Sequence, residues 1–401
     1  MPDESSGVHL AVALEGAGWH PGAWREPGAR PAELFTARYW ADLVAEAERG
    51  LLDFVSFEDG LGLQSSQYDS LDERTDQVRG RLDAVLIAAR VAPLTRNIGL
   101  VPTVVVTHTE PFHISKAIAT LDYVSSGRAG VRVQVSARRH EAAHFGRRTF
   151  PDFGIADRGD PAVHDFVSGL FDEAGDFVEV MRRLWDSWED DAEIRDVGTG
   201  RFIDRQKLHY INFDGPHFSV RGPSITPRPP QGQPVVTALA QGALTYGLVG
   251  RATDIAFVTP SDAQHASEII AEIREEQSAA GRASEILHVF GDLVVFLDDD
   301  ARTAADRKAH LDDVAGGEQS SDAPIFTGTP TGLADLLCEL GRAGLTGFRL
   351  RPGAIPHDLE AITRGLVPEL QHRDLFRRAY EAGTLRGLLG MTRPANRYAS
   401  V

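Results

Sequence analysis

Short apolar runs alternate with amphipathic stretches along most of the chain. Residues 8–14 read as a strand. Residues 31–49 carry Leu34, Ala37, Ala41, Val44 and Ala45 at helical spacing and predict a helix, which Gly50 ends. The same reading gives strands at 53–57, 98–106 and 131–135, separated by helices at 82–91 and 113–123. The rhythm then breaks. Residues 137–233 are long, polar and mixed, with one clear helix at 165–188 and a turn-rich excursion from 190 to 234. Alternation resumes with strands at 235–239, 254–258, 288–297 and 347–350. Helices are expected at 243–251, 263–280, 301–314 and 331–343, and further helices run to about residue 389.

Strict alternation of strand and helix implies a parallel sheet. Eight strand runs favour an α/β chain closed as a (β/α)8 barrel over an open doubly wound sheet. No glycine-rich phosphate fingerprint follows the first run, which counts against a dinucleotide-binding fold. Residues 1–401 are therefore expected to form one barrel domain. The insertion at 137–233 follows the fourth strand, so it is expected at the C-terminal mouth, where barrel active sites form.

Four places carry candidate chemistry. In the fourth strand Val131, Val133 and Val135 alternate with Arg132, Gln134 and Ser136. Successive side chains point to opposite faces, so valines packed on the helix layer aim the other three into the barrel. A cation there needs a carboxylate or an anionic ligand, and a structural ion pair or a water-facing edge is the plainer reading. Asp59 lies just past the second strand, beside Glu58; it is a site candidate or a capping aspartate. His140-Glu141-Ala142-Ala143-His144 matches the zinc motif HExxH, but in a loop after a barrel strand. Gln241-Gly242-Ala243 joins a strand to a helix start, a place either for a phosphate or for a plain turn.

Composition narrows the classes. The chain is 42% hydrophobic and 25% charged, with a formal net charge of −17. A nucleic-acid partner is not expected without a basic face. The acidic N-terminal Met1-Pro2-Asp3-Glu4 shows no signal peptide, and no apolar run reaches membrane-spanning length, so a cytoplasmic location is expected. The single cysteine, Cys338, reads as a small core residue in a helix.

The order of short blocks along nearly the whole chain resembles the luciferase-like flavin monooxygenases, in the nitrilotriacetate, dibenzothiophene-sulfone and pristinamycin-type branch. The blocks include His20-Pro21-Gly22-Ala23-Trp24-Arg25, Glu110-Pro111-Phe112-His113 and Leu121-Asp122-Tyr123-Val124-Ser125-Ser126-Gly127-Arg128. Trp185-Asp186-Ser187-Trp188, Phe326-Thr327-Gly328-Thr329-Pro330 and Arg393-Pro394-Ala395-Asn396-Arg397 continue them.

The resemblance implies a homodimeric or homotetrameric barrel. It implies reduced FMN supplied by a separate flavin reductase, dioxygen, and a flavin peroxide that oxidises a small organic substrate. Asp59, Thr107, Arg132, Gln134, Ser136, Gln241, Gly242 and Ala243 are the expected cofactor-binding set. His20 and His108 are the candidate acid–base groups, by position. No metal is expected, because the family often carries Glu-Ala-Ala, one residue and then Phe-Gly where this chain has Glu141–Gly146.

The chain also departs from the family. Arg132 stands where asparagine is usual, Val135 where threonine is, Phe171 for a phosphate-site tyrosine, Gly242 for a serine and His108 for a tyrosine near the flavin. Such losses weaken flavin binding. They keep open a deazaflavin-dependent oxidoreductase and a non-catalytic barrel subunit.

Overall fold

Eight runs whose two faces are both apolar or lumen-directed pair side by side and close on themselves. The computed structural model describes residues 7–154, 157 and 159–399; the N-terminal tetrapeptide read for a signal peptide lies outside them. The barrel strands are β1 (His9–Leu14), β2 (Phe54–Phe57), β3 (Gly99–Val105), β4 (Gly130–Gln134), β5 (Val235–Leu239), β6 (Ile255–Val258), β7 (His288–Leu297) and β8 (Gly347–Pro352). All neighbours are parallel. The order β6-β5-β4-β3-β2-β1-β8-β7 is closed by pairing of β6 with β7. The (β/α)8 barrel expected from alternation is the observed fold.

The helices begin where side chains can take up their free N–H groups. Thr36 accepts from Tyr39, so the first helix spans Ala37–Arg49, and Pro31–Glu33 forms a separate tight turn rather than the expected continuous helix. Its buried stripe is Trp40, Leu43, Val44 and Ala47, shifted from the stripe read in the sequence. Asp83 caps Ala84–Val91 and Asp160 caps the long helix Pro161–Asp186. Cys338 is only partly buried, not a core residue.

Two features were not read from the sequence. A ninth parallel strand, Ile325–Gly328, pairs outside the barrel with the upper half of β7, from Val294 to Leu297. The turn-rich excursion contains two small antiparallel ribbons, Glu193–Asp196 with Arg201–Ile203 and Phe213–Asp214 with Ser219–Val220.

The two parts of the core that shape the barrel lie on either side of its wall. The larger lies between barrel and helices and includes Val131 and Val133. The smaller fills the lower lumen with Phe54, Val101, Val235, Phe257 and Phe290, and Leu385, Leu389 and Met391 from the C-terminal segment plug it from below. That plug closes one end of the barrel. Among the described residues, no helix is long and apolar enough to cross a membrane.

Candidate active site

Two residues above the phenylalanine layer, the lumen changes character. Ser56, Thr103, Arg132, Thr237, Asp292 and Arg349 follow Phe54, Val101, Gly130, Val235, Phe290 and Gly347 on their strands, and all six are buried. The period-two pleat keeps each pair on the same face. Buried charges must pair, and these do.

An alternating ionic ladder runs through this layer. Arg132 Nη2 lies 3.2 Å from Glu58 Oε2, and the other oxygen of Glu58 lies 3.0 Å from Arg349 Nη1. Arg349 Nε donates to Asp292 at 2.8 Å, and Arg351 Nε donates to Asp292 at 3.0 Å. Arg351 Nη1 reaches Asp322 at 2.7 Å, and Asp322 accepts from the Gln241 amide at 2.9 Å. Burial alone would push the carboxyls of Glu58 and Asp292 up, but the surrounding guanidiniums hold both below the ordinary carboxylate value. Arg349 also stacks 4.0 Å above the Phe257 ring, which ties the charged layer to the apolar one below.

Above the ladder opens a cavity of about 690 Å³. One wall is the end of β4, with Arg132, Gln134, Val135, Ser136 and Arg138. The other is the end of β5 and the turn beyond it, with Leu239, Gln241, Gly242, Ala243 and Thr245. Phe153, His164 and Phe171 from the segment between β4 and β5 close over it, together with Tyr68. Gly242 adopts φ +132°, and a side chain added there would meet no atom within 4 Å. It opens the helix Ala243–Ala252 without a side-chain cap; Thr245 and Tyr246 N–H donate to the Gly242 carbonyl, and the N–H groups of Ala243 and Leu244 ahead of them stand at the cavity wall.

The expected site residues divide into two groups. Arg132, Gln134, Ser136, Gln241, Gly242 and Ala243 line the cavity together. Arg132 Nη1 donates to the side-chain Oε1 of Gln134 at 2.8 Å, which fixes that pair along the wall.

The others stand back from it. Thr107 accepts from the Ser136 N–H at 2.9 Å, behind the wall. Asp59 is turned onto the N–H groups of Gly60 and Ala84, at 2.7 and 2.9 Å, and burial raises its pKa. His108 is buried between the rings of Phe145 and Phe150, its Nε2 without a hydrogen-bond partner, and burial lowers its pKa. His20 is committed at both nitrogens: Nδ1 accepts from Gly22 N–H at 2.9 Å, and Nε2 pairs with Asp312 at 3.0 Å. The structure therefore does not bring His20, His108 or Asp59 into the cavity wall.

The HExxH segment forms the short helix Arg139–Phe145. His140 Nδ1 bonds Asp69 at 2.9 Å, and Glu141 faces the cavity. Among the described residues, no group of three His, Cys, Asp or Glu is placed to hold a metal ion.

Glu58, Asp292, Arg349 and Arg351 were not singled out in the sequence. The signal that found Arg132 was available for the arginines: in Gly347-Phe348-Arg349-Leu350-Arg351 charge and apolar residues also alternate.

Fold and cavity together define a TIM-type barrel with an open C-terminal mouth. The family model of the luciferase-like monooxygenases matches residues 17–335, and the chain belongs to that family. It is 29% identical to the N-acetyl-S-(2-succino)cysteine monooxygenase of Bacillus subtilis (strain 168), covering 100% of both chains. It is 29% identical to component A of the nitrilotriacetate monooxygenase of Aminobacter aminovorans, covering 98% of each. A solved riboflavin lyase with modified FMN and riboflavin superposes with a TM-score of 0.82 at 24% identity, covering 98% of both chains. The family resemblance read from the motif blocks is thus the family found, and its relatives are monooxygenases.

Proposed function

We propose that this chain is the oxygenase component of a two-component FMN-dependent monooxygenase. A separate reductase supplies reduced FMN, and one atom of dioxygen goes to a small organic substrate while the other leaves as water. The observation that carries this reading is the cavity at the barrel mouth, bounded by Arg132–Ser136 on one side and the glycine-opened helix start at Gly242 on the other, in a chain of this family. The residues present fit the cofactor. The open space at Gly242 accepts a phosphate against backbone N–H groups, and the buried Arg132 Nε has no partner of its own.

Reduced FMN, when bound, supplies the two electrons that activate dioxygen. The chain's own work is to bind, orient and exclude water. Gln241, Gly242 and Ala243 would hold the phosphate end, and Arg132, Gln134 and Ser136 would line the ring's side of the cavity. Val135, Leu239 and Phe153 dry the cavity, and His164 and Phe171 close over it. Thr107 holds Ser136, and Asp59 holds the turn that follows β2. His20, held by Gly22 and Asp312, and His108, packed between Phe145 and Phe150, stay outside the cavity wall. The assembly is a cytoplasmic homodimer or homotetramer in this reading.

The test is oxygen admission. The protein is mixed with reduced FMN without air, oxygen is added, and flavin absorbance is followed. Reoxidation slower than that of free reduced FMN, through a transient absorbing species, is the expected result. Reoxidation identical to that of the free flavin contradicts the proposal.

A further inference from the structure

One buried carboxylate in the cavity wall is half unpaired. Glu141 is 2% exposed, lines the cavity, and has no hydrogen-bond partner at Oε2. Its other oxygen is loosely held, 3.5 Å from Nη1 of Arg138. Two other carboxylates that pack on this segment have a donor at each oxygen. Glu173 takes both terminal nitrogens of Arg148. Asp69 accepts from Arg139 Nε at 2.9 Å, and it pairs with the N–H and Nδ1 of His140 at 3.2 and 2.9 Å. A buried acceptor without a donor is costly, so one kept in a cavity wall points to a donor that arrives with a ligand.

Arg138 is the second half of the feature. It also lines the cavity, its side chain is 43% exposed, and it lies 5.6 Å over the Tyr68 ring. The Arg138–Glu141 separation is longer than a charge-assisted hydrogen bond, so both members keep capacity to bind something else. Phe153, Val163 and Val167 give the same cavity an apolar lining. The FMN reading uses Arg132–Ser136 and Gln241–Ala243 and leaves Arg138 and Glu141 without a task.

Building on the monooxygenase reading, we infer that Arg138 and Glu141 form the subsite for the substrate's head group, and that this head group is a zwitterion of the α-amino acid type. Its ammonium meets Glu141 and its carboxylate meets Arg138, while an aliphatic side chain packs on Phe153, Val163 and Val167. Two adjacent opposite charges on the ligand match the two in the wall, and neither wall charge is left facing its own kind. A ligand with only a carboxylate sets that charge beside Glu141. A ligand with only an ammonium sets it beside Arg138.

The experiment is a calorimetric titration of the full chain, without flavin, with three probes of the same chain length: L-norleucine, hexanoate and hexylamine. L-norleucine is expected to bind saturably and about tenfold or more tightly than either singly charged probe. Glu141→Gln is expected to weaken L-norleucine about tenfold and to spare hexanoate. Arg138→Gln is expected to weaken L-norleucine and hexanoate and to spare hexylamine. Its side chain is largely exposed, so this variant tests the subsite even if Glu141→Gln fails to fold. No saturable binding of L-norleucine overturns the inference. So does equal affinity for all three probes, or a loss in Arg138→Gln that is the same for all three. Because no flavin is present, these outcomes leave the FMN reading standing. Intact selectivity for L-norleucine in a chain that fails the oxygen-admission test overturns the FMN reading alone.

Discussion

At the height of Phe54, Phe257 and Phe290 the barrel lumen is an apolar plug, while two residues further along the same strands it holds Ser56, Asp292 and Arg349. The backbone, the pairing and the direction of the side chains are the same in both layers. Only residue type changes, and it changes on six strands at one step. The lower layer contributes stability through apolar burial. The upper layer costs desolvation that only its own alternation of charge offsets, and burying charge is a poor way to stabilise a fold. A lumen that was merely structural could have continued apolar to the top. The contrast is what marks the upper layer as the floor of a site.

Breaking the lower layer is expected to have the largest effect. Phe290→Ala leaves a void in the plug and costs about 3–5 kcal/mol, read as a fall in the urea midpoint. The affinity for FMN in the surviving folded protein is expected to be nearly unchanged, since the site lies above a separate layer. A large loss of FMN affinity with unchanged stability would reverse the assignment of the two layers.

His288 sharpens the same point through pH. It is buried at the bottom of the barrel, with Nε2 donating to the Leu389 carbonyl at 2.9 Å, and burial, with His9 beside it, lowers its pKa to about 4. The unfolded chain, with an ordinary histidine near 6.5, binds the proton first. Stability is therefore full above about pH 6.5 and falls by about 3 kcal/mol as the pH drops toward 4. His288→Gln removes this part of the slope, measured as the difference in urea midpoints at pH 7 and pH 4.5. Equal slopes in the two proteins would contradict it.

Changes at the mouth should touch binding more than folding. Gly242→Val puts a branched side chain at φ +132° and fills the space in front of the helix start. It is expected to weaken FMN about tenfold or more by closing the phosphate position. Riboflavin, which lacks the phosphate, should be affected much less in the same calorimetric titration; equal losses would place the phosphate elsewhere. The smallest effect is a gain. Phe171→Tyr returns a hydroxyl to the cavity rim, and one recovered hydrogen bond should tighten FMN by about two- to tenfold. An unchanged or weaker affinity would remove Phe171 from the phosphate end.

The barrel was legible because its signal is local and repeated. Strand runs of period two and helices ended by glycine or capped by aspartate and threonine recur along the chain, and all eight barrel strands follow from them. The strand Ile325–Gly328 escaped because three half-buried residues and a buried glycine carry no such signal. Arg132 and Gln134 were legible for the same local reason. Their partners were not: Glu58, Asp292, Arg349 and Arg351 come from three other strands, and only closure of the barrel brings them together. Asp59 and Glu58 are adjacent in sequence, yet one caps a turn and the other pairs with the floor. Which of two neighbouring carboxylates points inward depends on a single residue of register. The histidines at 20 and 108 show the remaining limit, since a loop histidine bound at both nitrogens or enclosed by rings looks in sequence like one facing a substrate.

In the proposed function the mouth above the charged floor holds reduced FMN. Its most direct test is an anaerobic calorimetric titration of the full chain with reduced FMN. Saturation at one flavin per chain with micromolar or tighter affinity is the expected result. A titration that shows no saturable binding, in a protein whose fold is intact by circular dichroism, would contradict it.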